Sequence, residues 1–152
     1  MKTRIEKVVV ERIPDECPAL DFLQHEYDEK TRTIIKSGAG YSQESIEGEG
    51  WETIKRYMDE DTKRLREHGV TWWMYGIRAS AEIVVCPPEW NGTGVCETIR
   101  SGALWGIESD SEVSYMHGVG EEELSQLGDI LRALGFSAED VQAAIAKAEW
   151  QF

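Results

Sequence analysis

The chain has 152 residues, 41% of them hydrophobic and 9% aromatic, which suits one folded domain over residues 1–152 and excludes a disordered chain. Its formal net charge is −13, so direct nucleic-acid binding, which needs clustered Lys and Arg against phosphate, is not expected. No run approaches the roughly 18 apolar residues of a membrane span, and Glu11 and Arg12 cut short the Val8-Val9-Val10 run that a signal peptide would extend.

The expected setting is therefore the cytoplasm, with no membrane partner. Cys17, Cys86 and Cys96 form no C-x-x-C spacing and suit reduced thiols. Cys86 and Cys96 flank a loop across which they are placed to face each other.

Residues 4–13 read as an opening strand, ended by Pro14-Asp15-Glu16-Cys17-Pro18, because proline cannot continue a central ladder. Residues 19–24 suggest a short helical turn. The β-branched stretch 31–36 suggests a strand closed by Ser37-Gly38-Ala39-Gly40. Residues 50–68 predict a helix. Trp51, Ile54, Met58, Leu65 and His68 share one stripe, Asp61 interrupts it, and Gly69 supplies a left-handed cap. Its remaining faces are charged, so this helix is expected to be peripheral.

The strongest strand is predicted over residues 71–85. Trp73, Tyr75, Ile77, Ala79, Ala81, Ile83 and Val85 alternate onto a core face. Trp72, Met74, Gly76, Arg78, Ser80, Glu82 and Val84 form a mixed face, on which Gly76 marks a bulge or a close approach. Pro87-Pro88-Glu89-Trp90-Asn91-Gly92-Thr93-Gly94 is a loop, with Asn91-Gly92 suited to a tight reversal. Residues 95–105 return as an antiparallel strand.

Residues 114–120 then lead into a helix whose first turn is Glu121-Glu122-Glu123, at the positive end of the helix dipole. Leu124, Leu127, Ile130, Leu131 and Leu134 form its stripe and Gly135 its cap. Ser137 and Asp140 cap a last helix, whose inner face is Val141, Ala144, Ile145 and Ala148. The order of elements indicates an α+β fold: a mostly antiparallel sheet with a long central hairpin, covered by two C-terminal helices plus one peripheral helix.

The sequence changes character at Ser101-Gly102-Ala103-Leu104-Trp105-Gly106-Ile107-Glu108-Ser109-Asp110-Ser111-Glu112. Apolar residues and glycine give way to acids alternating with hydroxyls, as where a strand emerges into a loop. In an extended segment Glu108, Asp110 and Glu112 share a side, where carboxylates can hold Mg²⁺ or Ca²⁺. The opposing reading is a solvated acidic loop. Arg78 and Arg100 lie on strands expected to be neighbours. With Trp72, Trp105 or Tyr115 they would suit a nucleotide, guanidinium to phosphate and ring to base. The opposing reading pairs the two arginines with Glu82 and Glu97. His25, His68 and His117 stand at no recognisable catalytic spacing and read as surface or helix-end residues. No phosphate-binding loop, dinucleotide fingerprint, nucleophile elbow or H-E-x-x-H is present.

Gly76-Ile77-Arg78-Ala79, followed by Ser101-Gly102-Ala103-Leu104-Trp105-Gly106-Ile107-Glu108-Ser109-Asp110-Ser111, resembles a family of small bacteriophage and prophage proteins. Its pattern is G-I-R-A, then S-G-G-L-W-G-I-E-S-D-S, then an acidic Leu-rich helix. Ala103 stands where the second glycine is usual. The likeness covers residues 70–135. It implies a phage accessory protein and transfers no catalytic residue.

The leading expectation is a non-catalytic binding protein that acts against a host defence system, engaging a host protein or sequestering a nucleotide-like signal. It needs no cofactor. The alternatives are a small metal-dependent hydrolase or phosphodiesterase that uses the acidic loop Glu108–Glu112 together with His117, and an assembly module forming a homodimer through a sheet edge or helix stripe.

Overall fold

The computed structural model describes residues 2–89 and 94–152. In chain order the elements are β1 (Lys2–Pro14), β2 (His25–Asp28), β3 (Thr33–Ser37), α1 (Gln43–Glu49), α2 (Trp51–Glu67), β4 (Met74–Cys86), β5 (Val95–Arg100), β6 (Leu104–Glu108), α3 (Val113–Ala133), α4 (Ala138–Ala146) and β7 (Glu149–Trp150). A 3-10 turn at Asp21–Leu23 precedes β2. Two compact units result. One holds the chain up to Asp15 and then Met74–Phe152, the other Glu16–Trp73.

The first unit is an α+β layer pair. Its sheet runs β5-β4-β1-β7, with β6 also on β4. All pairings are antiparallel except β1 with β7. The hairpin of β4 and β5 stands at one side of the sheet, where β5 is an edge strand and β4 is central, with Ser80 opposite Arg100 and Val85 opposite Val95. The reversal expected at Asn91-Gly92 lies outside the described residues.

Strand alternation sends Ile77, Ala79, Ala81 and Ile83 to one face, where they pack with Val8, Val10, Leu124, Leu127, Leu131 and Val141. Helices α3 and α4 cover that face. Burying each large aliphatic side chain contributes about 1.5–3 kcal/mol, which is why this face decides the register. Ser137 caps α4 by accepting from the Asp140 N–H at 3.1 Å.

Three expectations are corrected here. The strand begins at Met74, not at residue 71, and Trp73 is 45% exposed instead of lying in the core. The returning strand is two strands, broken at residues 101–103, where Ala103 takes a φ of +66°. Helix α3 begins at Val113, so Glu121-Glu122-Glu123 lies in its middle and gains nothing from the helix dipole. Gly120 has a packing reason: a Cβ there would fall 2.3 Å from Trp150 Cζ3.

The second unit has its own small core of Trp51, Ile54 and Met58, with Tyr27, Ile34, Tyr41, Ile46 and Tyr57 against it. Strands β2 and β3 form an antiparallel pair. Trp72 is wholly buried in this unit. Its indole N–H donates to the Arg64 carbonyl at 2.8 Å, and the Arg64 guanidinium lies 4.0 Å from its ring centroid. Among the described residues no helix is long and apolar enough to cross a membrane.

Candidate functional site

The register answers which face each arginine takes. Residues directly opposite in a sheet point to the same side. Arg78 is opposite Glu11, and Arg100 is opposite Ser80, two residues along β4 from Arg78. Both therefore project from the face away from α3 and α4, called here the outer face. Val84 and Glu82 of β4 share it, as do Cys96 and Thr98 of β5. On β1 it carries Lys2, Arg4 and Lys7, opposite Cys86, Val84 and Glu82. In a chain of net charge −13 this face gathers five cations beside the carboxylates Glu11 and Glu82, and three of the five are ion-paired, Arg4 with Glu6, Lys7 with Glu149 and Arg78 with Glu11.

Trp105 joins them. Three atoms of its six-membered ring lie 2.6–2.9 Å from where a Cβ on Gly76 would stand. Only glycine lets the indole lie across the strand at this point, which is the close approach expected of Gly76. Trp105 remains 49% exposed.

The two arginines differ in freedom. Arg78 Nε donates to Glu11 Oε1 at 2.8 Å, with both side chains mostly buried. Its partner is thus the residue directly across β1, not Glu82. Arg100 is exposed on the outer strand.

The segment between β5 and β6 is clamped from below. The Ser101 N–H donates to the Ala79 carbonyl, and its hydroxyl accepts from the Ala79 N–H, each at 2.9 Å. The Gly102 N–H donates to Gln126 Oε1 at 2.5 Å, and the Ala103 N–H to Glu123 Oε2 at 3.0 Å. Glu123 is therefore a buried acid that accepts from one loop amide. These bonds fix the start of β6 and hence the position of Trp105.

The other two aromatic candidates lie on other segments. Trp72 is enclosed in the second unit by Arg64. Tyr115, 53% exposed, belongs to α3, which covers the core face, opposite the arginines.

The carboxylates do not form the row that an extended segment would give. Glu108 ends β6, the Ser111 N–H donates to the Glu108 carbonyl in a turn at 3.0 Å, and Glu112 is the N-cap of α3. A turn removes the two-residue alternation on which the shared side depended. His117 stacks on Trp150, centroids 4.7 Å apart and planes 7° apart. Among the described residues no three His, Cys, Asp or Glu side chains gather as metal ligands would. Cys86 and Cys96 share the outer face but are offset, since Cys96 stands opposite Val84. Both are free thiols.

One constellation escaped the sequence reading. His25, expected at the surface, has no exposed side-chain area. Its Nε2 lies 2.8 Å from Asp61 Oδ2 and its Nδ1 2.9 Å from Ser37 Oγ. Separations of 12 and 36 residues concealed the string. The interruption of the α2 stripe at Asp61 was its only trace. The order resembles a nucleophile, base and orienting acid. The ring is enclosed, however, and a catalytic histidine must also deliver its proton to a leaving group on the substrate. Ser37 Oγ is further engaged by the Tyr41 N–H at 3.1 Å. The string reads as a fastening of β2 and β3 to α2. Tyr27 to Asp59 at 2.6 Å and Lys55 to Glu29 at 2.5 Å reinforce it.

Comparison of the chain with protein-family models, curated proteins and solved structures returns no match.

Proposed function

We propose that this chain is a non-catalytic, phage-type accessory protein that captures a nucleotide-like anion on the outer face of its five-stranded sheet. One observation carries the reading: a half-exposed tryptophan held across Gly76, on the same face as Arg78 and Arg100, in an otherwise strongly acidic molecule. An aromatic surface accepts a base by stacking, worth about 1–3 kcal/mol, and an exposed guanidinium accepts phosphate. Arg78, tied to Glu11, orients the site more than it supplies charge. The phage setting rests on the resemblance alone, and the counter-defence role, removal of a signalling nucleotide from the host, is inferred from small size, acidity and the missing catalytic motifs. The hydrolase alternative loses support because no three His, Cys, Asp or Glu side chains gather among the described residues and His117 stacks on Trp150.

Calorimetric titration with linear and cyclic nucleotides tests this. One class is expected to bind, Arg100→Glu to weaken it tenfold or more at an unchanged denaturation midpoint, and Trp105→Ala to weaken it tenfold or more while the midpoint falls with loss of the half-buried indole. Arg78→Glu, which sets two carboxylates opposite each other, is expected to lower the midpoint as well. Undiminished binding by both Trp105→Ala and Arg100→Glu would remove the site from this face. No binding by any nucleotide would direct the search to a host protein partner.

A further inference from the structure

We infer that the anion taken by the outer face is a nucleoside 5′-polyphosphate, a base carrying a chain of two or three phosphates, and not a cyclic or monophosphate nucleotide. This rests on the capture site proposed above and names its ligand class from where that face keeps an uncompensated charge. Of the five cations there, Arg4, Lys7 and Arg78 are each held by a carboxylate. Lys2 stands toward the other end of β4, opposite Cys86. Arg100 is exposed and has no ion partner among the described residues. It is therefore the free charge on this face nearest Trp105. The indole covers Gly76, and Arg100 stands opposite Ser80, four residues further along β4. Four residues of strand span about 13 Å. Between them lies Arg78, whose charge Glu11 already offsets at 2.8 Å.

A base stacked on Trp105 and directed along the strand carries its first phosphate on the adjoining ribose. That phosphate falls beside the Arg78–Glu11 pair, which offers it little net charge. Only a longer phosphate chain arrives at Arg100. The long side chain of Arg100 does not close the gap by itself. Toward Trp105 it meets the like charge of Arg78, and away from Trp105 it is drawn to Glu82, its diagonal neighbour. The hydroxyls of Ser80 and Thr98 share the face there and can donate to phosphate oxygens. Glu82 also bounds the site. A nucleic-acid strand, whose phosphates continue past Arg100, would run onto that carboxylate, whereas a single polyphosphate ends before it.

Calorimetric titration with adenosine and guanosine 5′-mono-, di- and triphosphates and with the 3′,5′-cyclic monophosphates tests the class, in buffer without Mg²⁺, which would offset the phosphate charge. For the base that binds, affinity is expected to rise about tenfold or more from mono- to triphosphate, and the cyclic form to bind no tighter than the monophosphate. Arg100→Glu, at an exposed position, should erase that rise and leave the monophosphate within about twofold, at an unchanged denaturation midpoint. Trp105→Ala should weaken every member. Affinity independent of phosphate number, a cyclic form that binds tighter than the triphosphate, or a rise that survives in Arg100→Glu would overturn the inference while leaving nucleotide capture itself standing. No binding by any nucleotide would instead remove the capture site, and this inference with it.

Discussion

The indole of Trp105 occupies the space that a side chain on Gly76 would need: three of its ring atoms lie within 2.9 Å of the Cβ position. Gly76→Ala therefore forces the ring off the strand. The expected cost is about 1–3 kcal/mol, as for other overpacked sites. Near-ultraviolet circular dichroism should change, and nucleotide affinity should fall with it. Unchanged spectra and affinity would mean that the ring is not fixed by this contact.

Ala103 takes a φ of +66°, a region where an L side chain is strained and glycine is not. Ala103→Gly is expected to stabilise the first unit by about 1 kcal/mol, the left-handed strain relieved less the flexibility glycine adds to the unfolded chain. Urea denaturation measures it. A lower midpoint in the variant would contradict the geometry.

Asp61 holds the Nε2 of a histidine that has no exposed side-chain area. Asp61→Ala leaves that nitrogen without its partner and is expected to cost about 1–3 kcal/mol. Asp61→Asn, which keeps an acceptor, should cost less. Hydrogen exchange at the β2 and β3 amides is the direct readout, because the loss should fall on the second unit.

Tyr27 donates to Asp59, and this bond, with burial, holds its phenol above the ordinary tyrosine pKa. Tyr41 is raised too, first by burial and then by the charge of Asp61. A pKa raised on folding stabilises fully below the unfolded value, and the benefit is lost as pH climbs through the folded one. The second unit should therefore weaken above about pH 10. Tyr27→Phe, which cannot ionise there, should show a shallower decline in denaturation midpoint. Equal slopes would contradict this.

Much of the fold was legible because burial on one face writes a period into the sequence. Ile77, Ala79, Ala81 and Ile83 gave β4 its core face, and Leu124, Leu127 and Leu131 gave α3 its stripe. Strand β2 was not legible: His25-Glu26-Tyr27-Asp28 has no apolar alternation, and it is held by polar bonds to α2. Gly120, within α3, answers to Trp150, which lies thirty residues away, and no local pattern shows that. Of the candidate ligand residues, Arg78, Arg100 and Trp105 share a face because strand register is regular. Trp72 and Tyr115 sit on elements whose placement no local pattern encodes, and the carboxylate row failed because a turn replaced an extended chain.

The most direct test of nucleotide capture incubates the pure protein with linear and cyclic nucleotides, with and without Mg²⁺, followed by filtration and analysis of what denaturation releases. The account predicts that one nucleotide disappears from the filtrate and is released chemically intact, and that this depletion is lost in Arg100→Glu. A nucleotide returned in altered form, or no depletion of any, would contradict it.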